Sequence, residues 1–306
     1  MFAIVAGLKD RHMKRFTTGS VISRDGTVIG YRQIGQGPAL ILLHGGLNAG
    51  QHLMPLADQL SDAFTVYVPD RRGHGFSPYL GENTLAKERD DIEALVAHTG
   101  VERIFGHSVG GIVALLVAHA CKSIRKVAVY DPPFSTNGSV PVQWFPRCLH
   151  EIQMGKTADA LVTALKGMKV APPLFRWLPR FGLIPLMKLV SAADSKNVQY
   201  GFMSTADIIP TLKMDVPLIL EAENTLSSLA QLDTDTLLLC GSKTPGYLKL
   251  ALSALERTLP HASIVRLRGL DHVGPSSEGD PKRVAVELRC FFAEPTSTRA
   301  ERVIEN

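Results

Sequence analysis

The sequence predicts an α/β fold, with a doubly wound and mostly parallel sheet and an inserted helical segment. Three observations support this prediction. Short apolar runs that end at Gly, Pro or Asp are typical of strands buried on both faces, as in a parallel sheet. Helix-like stretches alternate with several of these runs. Residues 132–232 then interrupt the alternation without a clear strand.

The composition places the chain among globular proteins. Its 306 residues are 45% hydrophobic and 20% charged, values that exclude disordered and collagen-like chains. The net charge of +4 comes from basic residues scattered along the chain, which argues against a nucleic acid partner. The four cysteines lie far apart in the sequence and show no metal-ligand spacing. We therefore expect reduced thiols and a cytoplasmic location.

The two ends of the chain are predicted to lie outside the folded core. Residues 2–8 are apolar but precede a basic cluster, which is the opposite order to a secretory signal. No window reaches the roughly 18 consecutive apolar residues of a membrane helix, so we expect no membrane span. Residues 1–17 are interpreted as a leader and residues 295–306 as a disordered tail.

The core elements follow from the apolar runs and the turn residues. Asp25-Gly26 tolerates the positive φ of a tight turn and predicts a hairpin between residues 20–23 and 28–34. The later apolar runs predict strands at residues 39–43, 64–68, 103–105, 127–130, 236–240 and 263–267. Helices are predicted at residues 84–98, 110–120, 247–257 and 281–292.

The interruption at residues 132–232 is too long for a plain loop and is rich in helix formers. We expect it to form a helical cap over one end of the sheet. The core then consists of residues 18–131 and 233–294.

One short motif in the core carries chemistry. Residues 106–110 read Gly-His-Ser-Val-Gly and match G-x-S-x-G, whose glycines let a strand turn sharply into a helix and expose the serine. The motif follows a predicted strand and opens a predicted helix, which is the setting that this turn requires. We predict Ser108 as a nucleophile and His107 as a pocket residue. A glycine-rich turn with an incidental serine is the alternative.

A second glycine-rich turn follows the third predicted strand. Its sequence His44-Gly45-Gly46 is placed to aim the Gly46 N–H at a substrate carbonyl bound at Ser108. The second donor is predicted to be the N–H of Val109, the residue after the nucleophile. We predict that His44 braces this loop and borders the substrate, and a simple turn is the alternative.

A serine nucleophile needs a base, and ten histidines are available. His272 follows the last predicted strand, at the edge of the sheet where the other loops converge. His74 is the chief rival, but it precedes Ser108, whereas sites of this type have the order serine, acid, histidine. We predict His272 as the base, with a surface-loop histidine as the alternative.

The elbow around Ser108, the His44 loop, residues 69–75 and His272 together resemble the α/β-hydrolase superfamily. The resemblance covers residues 20–292. It implies a Ser-His-acid hydrolase with a helical cap inserted after the strand at residues 127–130. Acyl transfer to water by such a site needs no cofactor and no metal.

The predicted acid departs from the usual pattern of that superfamily. Most members carry an Asp shortly after the penultimate strand, but residues 241–245 contain no carboxylate. Some relatives, haloalkane dehalogenases among them, take the acid from the end of an earlier strand, where this chain has Asp131. We predict Asp131 as the acid, and a turn residue before Pro132 is the alternative. The fallback candidates are Asp233, Asp235 and Asp271.

Large and adaptable side chains in the predicted cap favour an apolar pocket. They are Trp144, Trp177, Phe134, Phe145, Phe175, Phe181, Phe202, Met154, Met168, Met187, Met203 and Met214. We predict that Trp144 and Trp177 border the substrate. Packing of the cap onto the sheet is the alternative for each of these side chains.

These residues together predict a carboxylesterase or lactonase that acts on a small, mostly apolar ester. A nucleophilic serine argues against the halide-displacing and epoxide-opening branches, in which the resemblance implies an Asp at that position. Two alternatives stay open: hydrolysis of a carbon-carbon bond in a diketone-like compound, and a ligand-binding relative with slow or no turnover. The sequence is also compatible with a homodimer.

Overall fold

A computed structural model describes residues 14–79, 81–171, 175, 177–195, 201–223 and 225–293 of the chain. In these residues, eight strands form one sheet. The strands are β1 (Thr17–Ile22), β2 (Val28–Ile34), β3 (Ala39–Leu43), β4 (Thr65–Pro69), β5 (Arg103–His107), β6 (Lys126–Tyr130), β7 (Asp235–Gly241) and β8 (Ala262–Leu267). Every predicted strand is present, and β2 and β3 have the predicted ends.

The sheet is mostly parallel, which confirms the predicted fold class. Its strand order is β1-β2-β4-β3-β5-β6-β7-β8. The pairs β1 with β2 and β2 with β4 are antiparallel, and the remaining neighbours are parallel. Because the parallel strands run the same way, the loops after β3, β5, β6, β7 and β8 meet at one edge of the sheet.

The helices with described bounds include the four predicted core helices, here α2, α3, α9 and α10. The set is α1 (Met54–Leu60), α2 (Leu85–Thr99), α3 (Val109–Ala120), α4 (Phe145–Gln153), α5 (Thr157–Gly167), α6 (Arg180–Ser195), α7 (Thr205–Ile208), α8 (Leu212–Ala222), α9 (Gly246–Thr258) and α10 (Pro281–Ala293). Helix α1 is present in the structure but is not among the predicted helices. Its seven residues are too few to display a helical period, and Pro55 lies in its first turn.

Apolar side chains pack on both faces of the sheet. On one face, α2, α3 and α9 contribute buried residues such as Ile92, Ile112 and Leu252. On the other face, α1 and α10 contribute Leu56 and Leu288. Burial on both faces explains why the central strands read as continuous apolar runs instead of alternating ones.

Helices α4 to α8 lie between β6 and β7, and no strand interrupts them in the described part of this interval. Helices α4, α5 and α6 share an apolar cluster that includes Cys148, Leu161 and Met187 and is separate from the two sheet-facing clusters. The interval between β6 and β7 is where the sequence predicts the helical insertion. The division into cap and core at residues 132 and 232 stays a prediction.

The predicted leader and tail fall mostly outside the described residues, which begin at residue 14 and end at residue 293. Strand β1 begins at Thr17, the last residue of the predicted leader. Among the helices of the described ranges, none combines the length and the hydrophobicity of a membrane-spanning segment.

Candidate active site

Ser108 lies between β5 and α3 in a strained backbone conformation. Its φ of 53° and ψ of −124° are outside the regions that ordinary residues prefer. A Cβ built on Gly106 would lie 2.2 Å from the carbonyl oxygen of Gly110, and one built on Gly110 would lie 2.5 Å from that of His44. Both positions therefore require glycine, and the strand turns directly into the helix. This geometry exposes a serine hydroxyl at the top of the sheet.

Backbone strain concentrates around Ser108. Five non-glycine residues in the described ranges have positive φ, and Leu47, Ser108 and Asp131 are three of them. Leu47 and Ser108 line the same cavity, and Asp131 directly follows β6 at the same edge of the sheet. Such conformations cost about 1–3 kcal/mol each and collect at functional sites. The strain therefore marks this edge as the candidate active site.

His272 and Asp131 meet at this edge, although 141 residues separate them along the chain. His272 Nδ1 lies 3.2 Å from Asp131 Oδ2. Because a carboxylate only accepts hydrogen bonds, Nδ1–H is the donor and Nε2 of the neutral ring carries no proton. His272 also lines the cavity that Ser108 lines. In this tautomer Nε2 is able to accept a proton from a serine hydroxyl.

Burial shifts the pKa of His272 and the pKa of Asp131 in opposite directions. Loss of hydration lowers the pKa of His272 to about 4, so its imidazole is neutral at pH 7. Burial also raises the pKa of the Asp131 carboxyl, an effect that the hydrogen bond from Thr244 opposes. Neutral His272 is the form that acts as a base.

The loop after β7 contributes a hydroxyl where the carboxylate is missing. Thr244 Oγ1 donates to Asp131 Oδ2 over 2.7 Å and accepts the N–H of Gly241 over 3.1 Å. The hydroxyl thus orients the same carboxylate oxygen that faces His272. No sequence motif indicates Thr244, since threonine is common in loops.

The fallback acids occupy other positions. Asp235 is the first residue of β7 and lies at the amino end of that strand, and Asp233 precedes it. Asp271 Oδ1 accepts the backbone N–H of Val273 over 3.2 Å. The carboxylate that hydrogen-bonds His272 belongs to Asp131, and its catalytic role stays a prediction.

The loop after β3 approaches Ser108 closely. A Cβ built on Gly45 would lie 2.8 Å from Ser108 Cβ, so this contact also requires glycine. Gly46 and Val109 both line the cavity with Ser108. Val109 is the first residue of α3, where backbone N–H groups have no partner within the helix. The two predicted oxyanion donors therefore lie beside the candidate nucleophile.

Both ring nitrogens of His44 form hydrogen bonds to the backbone around this loop. Its Nε2 accepts the backbone N–H of Arg71 over 3.0 Å, and its Nδ1–H donates to the carbonyl of Gly45 over 2.9 Å. Burial lowers its pKa well below the ordinary value, and His74 and Arg71 add to the effect. His44 is fully buried and lies outside the cavity lining. This corrects the prediction that it borders the substrate, because its two ring nitrogens are used in bracing the loop.

His107 and His74 have different places. His107 lines the cavity, and its Nε2–H donates to the carbonyl of His272 over 2.8 Å. Burial lowers the pKa of His107 to about 3, so it is neutral. His74, the rival base, is buried outside the cavity lining, and its Nδ1–H donates to the carbonyls of Arg71 and Arg72. His74 is therefore a buried residue that hydrogen-bonds the backbone of its own loop, and it does not face the cavity.

An apolar cavity of about 220 Å³ contains the candidate site. Trp144, Met168 and Met187 form part of its wall. Trp177 does not: its side chain is 87% exposed and lies outside the cavity lining. The prediction that Trp177 borders the substrate is therefore wrong, because its side chain faces solvent.

Four ionisable residues line the cavity without belonging to any motif: His52, Asp215, Tyr247 and Glu278. Asp215 lies in α8 and is 1% exposed. A Glu278 carboxylate oxygen lies 4.0 Å from His52 Nε2. The one sequence signal for Asp215 is a charge within an otherwise apolar helical stretch, which is too common to single it out.

Comparison with known families agrees with this geometry. The profile of the alpha/beta hydrolase family matches residues 40–287, which is most of the chain. The protein belongs to the alpha/beta hydrolase family.

Its relatives include esterases. The chain is 24% identical over 261 residues to a pimeloyl-acyl-carrier protein methyl ester esterase of Xanthomonas campestris pv. campestris, with 85% of this chain and 97% of the relative covered. An alpha/beta hydrolase from Sphaerobacter thermophilus superposes with a TM-score of 0.71 at 25% identity, covering 90% of this chain and 100% of that chain. The esterase RhEst1 from Rhodococcus sp. ECU1013 shares the fold, with a TM-score of 0.62 at 22% identity and coverage of 90% and 98%.

Proposed function

We propose that the protein is a serine esterase that hydrolyses a small, mostly apolar ester or lactone through Ser108, His272 and Asp131. The observation that carries the proposal is the strained elbow, which puts Ser108 in the same apolar cavity as His272. The imidazole of His272 in turn faces Asp131. A nucleophile, a base and an orienting acid in this order form the constellation used for acyl transfer.

In the first half-reaction, His272 Nε2 takes the hydroxyl proton as Ser108 Oγ bonds to the substrate carbonyl carbon. The C=O π electrons move to the carbonyl oxygen, and the N–H groups of Gly46 and Val109 stabilise that oxyanion. Asp131 accepts the hydrogen bond from Nδ1–H and stabilises the imidazolium. The carbonyl then re-forms, the ester C–O bond breaks, and His272 gives its proton to the leaving alcohol.

In the second half-reaction, water attacks the carbonyl carbon of the acyl-enzyme and His272 takes one of its protons. When this second tetrahedral intermediate collapses, the bond to Ser108 Oγ breaks and the hydroxyl regains a proton from His272. An ester yields an acid and an alcohol, whereas a lactone yields one hydroxy acid.

The cavity supports a small substrate with apolar groups. Its volume of about 220 Å³ suits short acyl or alcohol parts, and Trp144, Met168 and Met187 supply apolar walls. The curated relative is named for cleavage of a methyl ester, which favours an ester of a small alcohol as the first class to test.

Covalent labelling tests the proposal. A fluorophosphonate probe should label the wild type at Ser108, and Ser108→Ala should abolish this labelling. Hydrolysis of p-nitrophenyl butyrate should fall by at least about three orders of magnitude in Ser108→Ala, because only binding and the oxyanion donors remain. Peptide mapping locates the label, and circular dichroism checks that the variant is folded.

Two histidine variants serve as matched controls. His272→Ala should lose labelling and turnover, whereas His261→Ala, at a half-exposed position paired with Asp233, should keep both. A label on another residue would contradict the assignment of the nucleophile. Turnover of diketones without hydrolysis of any ester or lactone would contradict the reaction class.

A further inference from the structure

A buried arginine joins the sheet edge to helix α8. Arg71 follows β4, and its Nε and Nη2 donate to the two carboxylate oxygens of Glu88 in α2 over 3.0 and 2.7 Å. Its Nη1 donates to Asp215 Oδ1 in α8 over 2.9 Å. The side chains of Arg71 and Glu88 are 0% exposed and that of Asp215 is 2% exposed. One guanidinium therefore faces two carboxylates with almost no solvent.

The second oxygen of Asp215 has a different environment. Within the described ranges, Oδ2 has no hydrogen-bond partner although it is buried. His74 Nε2 lies 3.8 Å away, which is beyond hydrogen-bond distance, and it forms an ion pair with this oxygen only when the imidazole is protonated. A Cβ built on Gly46 would lie 3.2 Å from Oδ2, and Asp215 and Gly46 both line the cavity. This oxygen therefore lies beside the loop that offers a backbone N–H to the substrate carbonyl.

A charged oxygen without a hydrogen-bond donor at this place favours a donor from the cavity. Burial by itself would raise the pKa of Asp215, but the charge of the adjacent Arg71 guanidinium lowers it below the ordinary value. The carboxylate is therefore ionised at pH 7, and a buried ionised acceptor without a donor is costly. Apolar residues such as Val216 and Ile219, from the same helix, line the cavity nearby. A substrate group that donates to Oδ2 removes the cost.

We propose that Asp215 Oδ2 is the acceptor of a substrate subsite that selects a hydroxyl group close to the scissile carbonyl. The inference rests on the proposed esterase function and narrows its substrate class to hydroxy esters or hydroxy lactones. Gly46 connects the two subsites, because its N–H serves the carbonyl oxygen while its α-carbon packs beside Asp215. The same negative charge disfavours acyl groups that carry a carboxylate near the carbonyl.

A purely structural role for Asp215 makes a different prediction. If Asp215 only ties α8 to Arg71, its loss lowers stability and affects all substrates alike. Glu88 provides the comparison, because it binds the same guanidinium but lies outside the cavity lining. Loss of Glu88 should therefore reproduce the structural effect without a change in selectivity.

The experiment compares p-nitrophenyl β-hydroxybutyrate with p-nitrophenyl isovalerate, two esters that differ by a hydroxyl in place of a methyl group. After correction for their rates of alkaline hydrolysis, wild-type kcat/KM should favour the hydroxy ester by at least about tenfold, the factor expected for a hydrogen bond to a charged group. Asp215→Asn should remove most of this preference. Glu88→Gln should lower the melting temperature and keep the preference.

The outcomes separate the subsite from the proposed function. A wild type that hydrolyses both esters without preference overturns the subsite and leaves the esterase proposal intact. An unchanged ratio in Asp215→Asn, or an equal loss in Glu88→Gln, also overturns it. Calorimetric binding of both esters to Ser108→Ala measures the preference without turnover. A hydroxyl preference in binding, together with no hydrolysis by the wild type, would support the subsite and count against the esterase.

Discussion

Asp131 is a residue whose position is unusual in both backbone and burial. Its φ is 49° and its side chain is 0% exposed. Its Oδ2 receives hydrogen bonds from Thr244 and His272, which hold the carboxylate in one orientation. In the sequence alone Asp131 is equally compatible with a turn residue before Pro132. The hydrogen bonds favour it as the acid.

Asp131→Asn should lower kcat by about 10⁴-fold, because the amide favours the wrong tautomer of His272. Asn has nearly the same size, so the variant should stay folded. Asp271→Asn is the matched control, since Asp271 adjoins His272 but its Oδ1 accepts the N–H of Val273, and it should keep turnover. Steady-state kinetics and thermal melts measure both variants. The reverse ranking would place the acid at Asp271.

The pH profile follows from the burial of His272. A base acts when it is deprotonated, and burial lowers the pKa of His272 from its ordinary value of 6.5 to about 4. We therefore expect kcat/KM for a neutral ester to be constant between about pH 6 and 8 and to fall only as pH approaches about 4. Initial rates in overlapping buffers, with circular dichroism at each pH, measure this. An acidic limb near the ordinary histidine pKa would show that the imidazole of His272 is hydrated rather than buried, and would contradict this prediction.

Among the secondary-structure elements, the connection between β5 and α3 packs directly against the end of β3 and the loop that follows it. Gly110 lies in the first turn of α3, and a Cβ there would lie 2.5 Å from the carbonyl oxygen of His44 and 2.6 Å from that of Leu43. Both contacts are with backbone atoms, which cannot turn aside as a side chain can. The elbow and the His44 loop therefore approach each other closely because residue 110 has no side chain.

Gly110→Ala should destabilise the protein by about 1–3 kcal/mol, because the new methyl group overpacks against backbone. It should also lower kcat/KM, because it separates Ser108 from the Gly46 donor. Gly182→Ala is the matched control, since Gly182 lies in helix α6 and a Cβ there meets nothing within 4 Å. That change should stabilise the helix by about 0.5–1 kcal/mol. Chemical denaturation measures both, and equal effects would contradict the packing argument.

At the scale of the whole molecule, the cavity is formed by two parts of the chain that are distant in sequence. Ser108 and His272 belong to the edge of the sheet, whereas Trp144 and Met187 belong to the interval between β6 and β7. The cavity exists only where these parts pack together. Its chemical selectivity is therefore a property of the assembled molecule and of no single element.

Trp144→Ala should enlarge the cavity and shift the preferred acyl chain to a greater length. For short esters kcat/KM should fall by about tenfold or more, since each well-packed methylene contributes about 1–3 kcal/mol to specificity. Trp177→Ala is the control, because that tryptophan is 87% exposed, and its chain-length profile should match the wild type. A series of p-nitrophenyl esters from acetate to octanoate measures both profiles. Identical profiles for the two variants would show that Trp144 only packs the helices.

Much of the fold could be predicted from the sequence because its signals are local. Apolar runs that end at Gly, Pro or Asp located the strands, and β2 and β3 have the predicted ends. Helix α1 could not be predicted, because its seven residues carry too little periodicity. The motif at Ser108 was visible for the same reason as the strands: glycine spacing reports backbone geometry directly.

The sequence by itself therefore determined the doubly wound sheet, the elbow and the candidates Ser108 and His272. The signal for each lies in residues that are neighbours in the chain: the apolar runs, the glycines around Ser108 and the strand before His272. Only the tertiary structure decided that Asp131 reaches His272, that Trp144 faces the cavity while Trp177 faces solvent, and that Asp215 contacts Arg71 across 144 residues of chain. These contacts join elements far apart in the chain. Their partners are chosen by how the helices pack on the sheet, and a local pattern carries no information about that packing.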